Sequence, residues 1–191
     1  MKPATYDLVY SDNALCAFLA AIVRAFEKNV GRENYLGRTA MQKLSYFAQV
    51  LGVPIPCSFE IYTYGPYAEK VTFSIDSLLA DDVVEDRSTN SNYSNYKPGP
   101  NAGEILSKYK NVIGPHTDTI DQVVKTLGTL SPKQFELLAT LHFTYHRLKQ
   151  IKRKDPGKRD VIDEFRAIKK DKFESSEIDG VYSALKSARL I

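Results

Sequence analysis

Apolar residues recur at helical spacing from near the start of the chain. Leu15, Phe18, Leu19, Ile22, Val23 and Phe26 share one face at three- and four-residue intervals, which predicts a buried helix capped by Ser11 or Asp12 and stopped at Gly31. After Gly37, the positions Met41, Leu44, Phe47, Ala48 and Leu51 form a second stripe ending at Gly52. Pro54 and Pro56 then impose an extended connection. Residues 59–64 are aromatic and β-branched with partial alternation, which predicts a strand punctuated by Gly65 and Pro66. Pro66 suits the start of a third helix that buries Val71, Ile75, Leu78 and Leu79 and reaches Ala80. A short strand is expected at Val83, Val84 and Glu85.

The polar stretch 87–96 is rich in Ser and Asn and predicts a hairpin tip returning through Tyr93 to Tyr96. Beyond it the pattern is helical. Asn101 suits the cap of a helix bearing Ile105, Leu106 and Tyr109, and Gly114-Pro115 opens another with Ile120, Val123, Val124 and Leu127. Ser131 caps and Pro132 begins a longer helix with Phe135, Leu138, Ala139, His142, Phe143 and Leu148 on its buried side. Lys154-Asp155-Pro156-Gly157 breaks it. Asp160 is the expected cap of a helix carrying Val161, Ile162, Phe165 and Ile168, and Ser176-Glu177-Ile178-Asp179 reads as the capping box of the last helix. The expected fold is mainly α (α+β), with a winged-helix-like N-terminal lobe containing a small antiparallel sheet (1–100) and a helical C-terminal lobe (101–191).

Composition narrows the class. The 191 residues are 43% hydrophobic and 26% charged, enough for a buried core and too apolar for a disordered chain. The longest uncharged apolar stretch, residues 14–23, is about half a membrane span. Residues 1–7 lack the basic-then-apolar layout of a secretory signal, and two cysteines make no disulfide framework. A cytoplasmic protein that engages no membrane is expected. Charge is unevenly divided: residues 1–130 carry a net −2 and residues 131–191 a net +5. Arg147, Lys149, Lys152, Arg153, Lys154, Lys158 and Arg159 crowd into the segment 147–159 against a single acid, Asp155.

That basic segment has three readings: a nucleic-acid interface that neutralises phosphates, a grip on an acidic protein, or a solvated helix end that complements the macrodipole. The winged-helix-like lobe is poorly supplied for duplex binding. Its candidate recognition helix offers Lys70 beside Glu69 and Asp76, and Asp81, Asp82, Glu85 and Asp86 around the wing repel phosphate. His142 and His146, four apart on one helix, would present two imidazoles to zinc, but no third ligand is evident. Cys16 belongs to the apolar face of the first helix. Cys57, in the proline-flanked loop, is the one candidate nucleophile. No phosphate-cradling glycine loop occurs, no cofactor is implied, and an enzyme is the minority reading. Tyr62, Tyr64 and Tyr67, with Tyr46 and Phe47 on the preceding helix, form either a contact surface or an aromatic seal of the core.

Two separated motifs carry a resemblance. The stretch 37–48, beginning Gly37-Arg38 and containing Gln42-Lys43-Leu44-Ser45-Tyr46, is followed by an aromatic strand closing on Tyr64-Gly65-Pro66-Tyr67-Ala68-Glu69. Over residues 30–86 this order and spacing resembles the YwgA-like bacterial and archaeal family. More distantly it is similar to the SocA-type or Panacea domain of proteolytic adaptors and antitoxins. The resemblance implies a non-enzymatic regulatory protein that holds a protein partner, with Gln42, Lys43, Tyr46, Tyr64, Gly65, Pro66 and Tyr67 as its signature, and it supplies no catalytic residues. The alternative is a nucleic-acid-binding protein that uses the segment 147–159.

Overall fold

The computed structural model describes residues 8–31, 34–90 and 92–191; the leader reading of residues 1–7 and Ser91 of the wing tip lie outside them. The chain is mainly helical with two small antiparallel hairpins. Its elements are α1 (Ala14–Asn29), α2 (Arg38–Val50), β1 (Glu60–Tyr62), β2 (Gly65–Tyr67), α3 (Glu69–Ala80), β3 (Val84–Asp86) and β4 (Tyr96–Pro98). There follow α4 (Ala102–Lys108), α5 (Lys110–Ile113), a 3₁₀ turn (Gly114–His116), α6 (Thr117–Leu127), α7 (Pro132–Lys152), α8 (Lys158–Lys169) and α9 (Ser175–Ser187). They form two compact units, Met1–Phe59 with Ala68–Thr129, and Glu60–Tyr67 with Leu130–Ile191. The expected boundary at residue 100 is corrected accordingly. Ile120, Val123 and Val124 of α6 are buried in the first unit, where α6 packs along α1, so residues 101–129 complete that unit's core.

In the first unit α1 is buried almost all round, from Leu15 to Val23, because α2, α3, α4 and α6 surround it. Its cap is Asn13, whose side chain accepts from the Cys16 amide at 3.0 Å. Ser11, instead of capping, turns to α3: its amide and hydroxyl both donate to the Asp81 carboxylate at 2.7 Å, beside the Tyr10 amide at 2.9 Å. Burial pushes the Asp81 carboxyl up, and the hydrogen bonds from Ser11 and Tyr10 more than reverse it. Of the α2 stripe, Met41, Leu44, Phe47 and Ala48 are buried, whereas Leu51 lies past the last turn and is 44% exposed. β3 and β4 pair from Val84↔Pro98 to Asp86↔Tyr96. The Asp86 carboxylate accepts from the Ser88 and Asn95 amides, tying the base of the β3–β4 hairpin.

The expected strand 59–64 is instead a hairpin, and Pro66 lies in its second strand rather than at a helix start. β1 pairs only with β2, in the register Glu60↔Tyr67, Ile61↔Pro66 and Tyr62↔Gly65. Gly65 has φ +97° while no other residue of the hairpin is left-handed, so this turn requires glycine.

In the second unit α7, α8 and α9 enclose Leu137, Leu141, Tyr145, Val161, Phe165, Phe173, Ile178, Tyr182 and Leu185. Ser131 and Gln134 form the capping box of α7, with Pro132 in its first turn. The buried positions of α7 extend beyond the single expected stripe: Leu138 and Phe143 are only half-buried, and Glu136, Leu137, Thr140, Leu141, Thr144 and Tyr145 are buried. Caps shift by a few residues. Asp160 is the third residue of α8 and accepts from the Gly157 amide, and Glu177 accepts from the Glu174 amide ahead of α9. Asn101 precedes α4 without capping it and donates to the Asp81 carbonyl instead.

Candidate functional site

The β1–β2 hairpin carries the most exposed aromatic pair of the second unit. Tyr62 and Tyr64 are 66% and 56% exposed, Tyr67 is half-buried, and the Tyr62 and Tyr67 rings lie 5.4 Å apart at 33°. Gly65 and Pro66 are buried. β2 packs on α7, which anchors one strand of the hairpin, while Tyr62 of β1 and Tyr64 of the turn stay exposed.

The turn is anchored by ionic chemistry. Lys169 Nζ donates to the Thr63 carbonyl at 2.7 Å and meets Glu136 Oε1 at 2.9 Å, with each of the Lys169 and Glu136 side chains 4% exposed. Lys172 Nζ grips the same carboxylate at 2.7 and 2.9 Å from its half-exposed side. It also lies 5.3 Å from the centre of the Tyr64 ring and 5.9 Å from that of Phe173, both within cation–π range. A buried ammonium is tolerated only when paired and hydrogen-bonded. The carboxylate and the Thr63 carbonyl satisfy that condition and hold the turn backbone in place. Motif and charge patterning along the sequence do not single out Glu136, Lys169 or Lys172. The one signal is spacing, since Lys169 follows Val161 and Phe165 at four-residue intervals on the buried stripe of α8.

The other signature residues are in the first unit and inside it. Gln42, Lys43 and Tyr46 are 4%, 2% and 5% exposed, so they offer no contact surface. Gln42 Nε2 donates to the Ala68 carbonyl at 3.0 Å and to Thr72 Oγ1 at 3.1 Å, and its Oε1 accepts from the Ala68 amide at 2.9 Å. Ala68 is the N-cap of α3 and has no capping side chain of its own, so Gln42 serves as a cap supplied from another helix. Tyr46 stacks edge-on against Phe47 and Phe59 at 5.2 and 5.3 Å. Burial raises its hydroxyl's pKa.

The basic segment is largely neutralised. Arg147 pairs with Glu164 at 3.5 Å, Lys149 with Asp155 at 2.7 Å, Lys152 with Asp160 at 2.8 Å, Lys158 with Asp179 at 2.8 Å and Arg159 with Asp163 at 3.7 Å. Arg153 and Lys154 make no ion pair among the described residues. Beyond Asp155, the acid counted within the segment, Asp160 and Glu164 of α8 meet Lys152 and Arg147 of α7, Asp179 of α9 meets Lys158, and Asp163 follows Arg159 by four residues on α8 itself.

His142 and His146 stack at 4.4 Å between ring centres, and His146 Nε2 lies 2.8 Å from the Leu190 carbonyl. Burial, with the neighbouring His146, depresses the His142 pKa to about 3. No cluster of three or more His, Cys, Asp or Glu residues suited to a metal occurs among the described residues. Cys16 is buried, and burial also raises the pKa of the half-buried Cys57 despite the opposing charge of Lys70. A raised pKa leaves Cys57 little thiolate with which to act as a nucleophile. Among the described residues, no helix is long and apolar enough to cross a membrane.

Comparison with protein-family models and with curated proteins finds no match for this chain.

Proposed function

We propose that this is a non-enzymatic binding protein that holds a protein partner through the Tyr62–Tyr64 hairpin. The observation that carries this reading is the exposure of two tyrosine rings on a hairpin whose turn backbone is fixed by the buried Lys169–Glu136 pair. Rigid tyrosines with two χ angles give contact area at low entropic cost, and they are enriched where proteins meet. The setting suggested by the family resemblance is regulatory, of the antitoxin or adaptor kind, in the cytoplasm. Neutralisation of five of the seven cations in 147–159 weighs against the nucleic-acid alternative.

The test is capture from the native host at native expression level, with and without nuclease, comparing wild type with Y62S/Y64S. A defined, nuclease-resistant protein retained by wild type and lost from the folded double variant supports the reading. A nuclease-sensitive nucleic acid lost on charge reversal at Arg153 and Lys154 overturns it in favour of the alternative.

A further inference from the structure

Pro66 determines which way the backbone of Ile61 points. The two residues face each other in the antiparallel register, and proline has no N–H to exchange. The ladder bonds of β1 must therefore be carried by Glu60 and Tyr62, the neighbours of Ile61. The amide and carbonyl of Ile61 consequently face away from β2. No strand pairs with that edge of β1 among the described residues, and no hydrogen bond of either group to described backbone is present. An open edge is a template for another strand unless it is covered or blocked by charge or proline. Here the half-buried, uncharged Ile61 occupies its centre.

We infer that the free edge of β1 accepts an extended segment of the partner by strand addition, and that this segment is acidic at the end that meets the turn. The inference rests on the hairpin being the docking site and states how it docks. The polarity comes from charge. At the turn, Lys172 is 44% exposed and lies over Tyr64. At the far end stands the exposed Glu60. The unit built from Glu60–Tyr67 and Leu130–Ile191 carries 14 Lys and Arg against 10 Asp and Glu, a net +4. That charge disfavours a second copy of the chain as the occupant and favours an anionic segment. Main-chain bonds to Ile61 would supply affinity, and Tyr62, Tyr64 and Lys172 would select side chains.

The probe is a displayed library of random twelve-residue peptides selected against the full chain, with the enriched peptides synthesised and their Kd measured by fluorescence anisotropy. Enrichment of β-branched, acidic sequences is expected. I61P removes the outward N–H at a position that carries no ladder bond, where an edge strand tolerates proline, and should weaken binding about tenfold or more. I61A keeps the N–H and should stay within about threefold. K172E should weaken binding more than K172A. If I61P does not fold, hydrogen exchange on the wild type decides: the Ile61 amide should exchange freely alone and be protected about tenfold or more at saturating peptide.

Failure to enrich any peptide, equal binding to I61P and wild type, or an unprotected Ile61 amide overturns strand addition. A concentration-dependent dimer that I61P abolishes assigns the edge to a second copy and also overturns it. These outcomes are separable from those of the docking reading. A host protein lost from Y62S/Y64S but retained by I61P leaves the docking site standing and removes only the strand-addition mode.

Discussion

Lys169 Nζ and Glu136 Oε1 meet at 2.9 Å with 4% of either side chain exposed. The same ammonium reaches the Thr63 carbonyl at 2.7 Å, so one ion pair links α7, α8 and the turn of the tyrosine hairpin. Glu136→Ala should cost about 3–5 kcal/mol in denaturant unfolding, because it leaves a buried cation uncompensated. The paired replacement Glu136→Leu with Lys169→Met should cost less than Glu136→Ala alone. If the double variant is the less stable of the two, the ion pair is not the anchor of this turn.

His142 makes stability pH-dependent on the acid side. Its folded pKa of about 3 lies below the ordinary 6.5, so the unfolded chain binds more protons between these values and stability falls as pH drops through that window. The slope attributable to His142 should approach about 1.4 kcal/mol per pH unit. Between pH 4.5 and 6 most carboxylates remain ionised, and urea midpoints of wild type should fall more steeply there than those of His142→Gln. Parallel profiles would show that His142 is not held neutral by the fold.

Lys170 has φ 53° and ψ −133°, a region that an L side chain rarely occupies. Lys170→Gly should therefore stabilise the protein by about 1 kcal/mol, the relief of strain exceeding the added chain entropy. Gly65→Ala should act in the opposite sense, destabilising by about 1–2 kcal/mol at φ +97°. Thermal melts of the two variants provide the check, and loss of stability in Lys170→Gly contradicts the strain argument.

Asp81 ties the segment ahead of α1 to the end of α3 through Tyr10 and Ser11. Asp81→Ala should raise amide exchange at residues 10 and 11 by at least about tenfold and cost about 2–3 kcal/mol, the scale of hydrogen bonds to a charged acceptor. Unaltered exchange at those two amides would show that the carboxylate does not tether this segment.

Elements with local causes are legible in the sequence. The α1 and α2 stripes, the Ser131-Pro132 start of α7, the break at 154–157 and the polar connection between β3 and β4 all follow from spacing, caps and breakers within a few residues. The candidate site is legible only in part. Its tyrosines and the Tyr64-Gly65-Pro66-Tyr67 motif stand out, but the local pattern puts Pro66 in a helix and groups Gln42, Lys43 and Tyr46 with them as a surface. Burial of those three, and the hydrogen bonds from Gln42 to Ala68, depend on helices that meet only in the folded chain.

By itself the sequence determined a mainly helical protein and a basic C-terminal third, because each depends on residue type and short-range spacing. The tertiary structure alone decided that residues 101–129 join the first unit, that Arg147, Lys152 and Lys158 pair with acids on neighbouring helices, and that Glu136 and Lys169 meet. Each of these joins residues distant along the chain or on different helices, and periodicity carries no information about which faces meet. The open edge at Ile61 lies between the two: Pro66 forbids the ladder bond through its chemistry, but only the hairpin register places Ile61 opposite it.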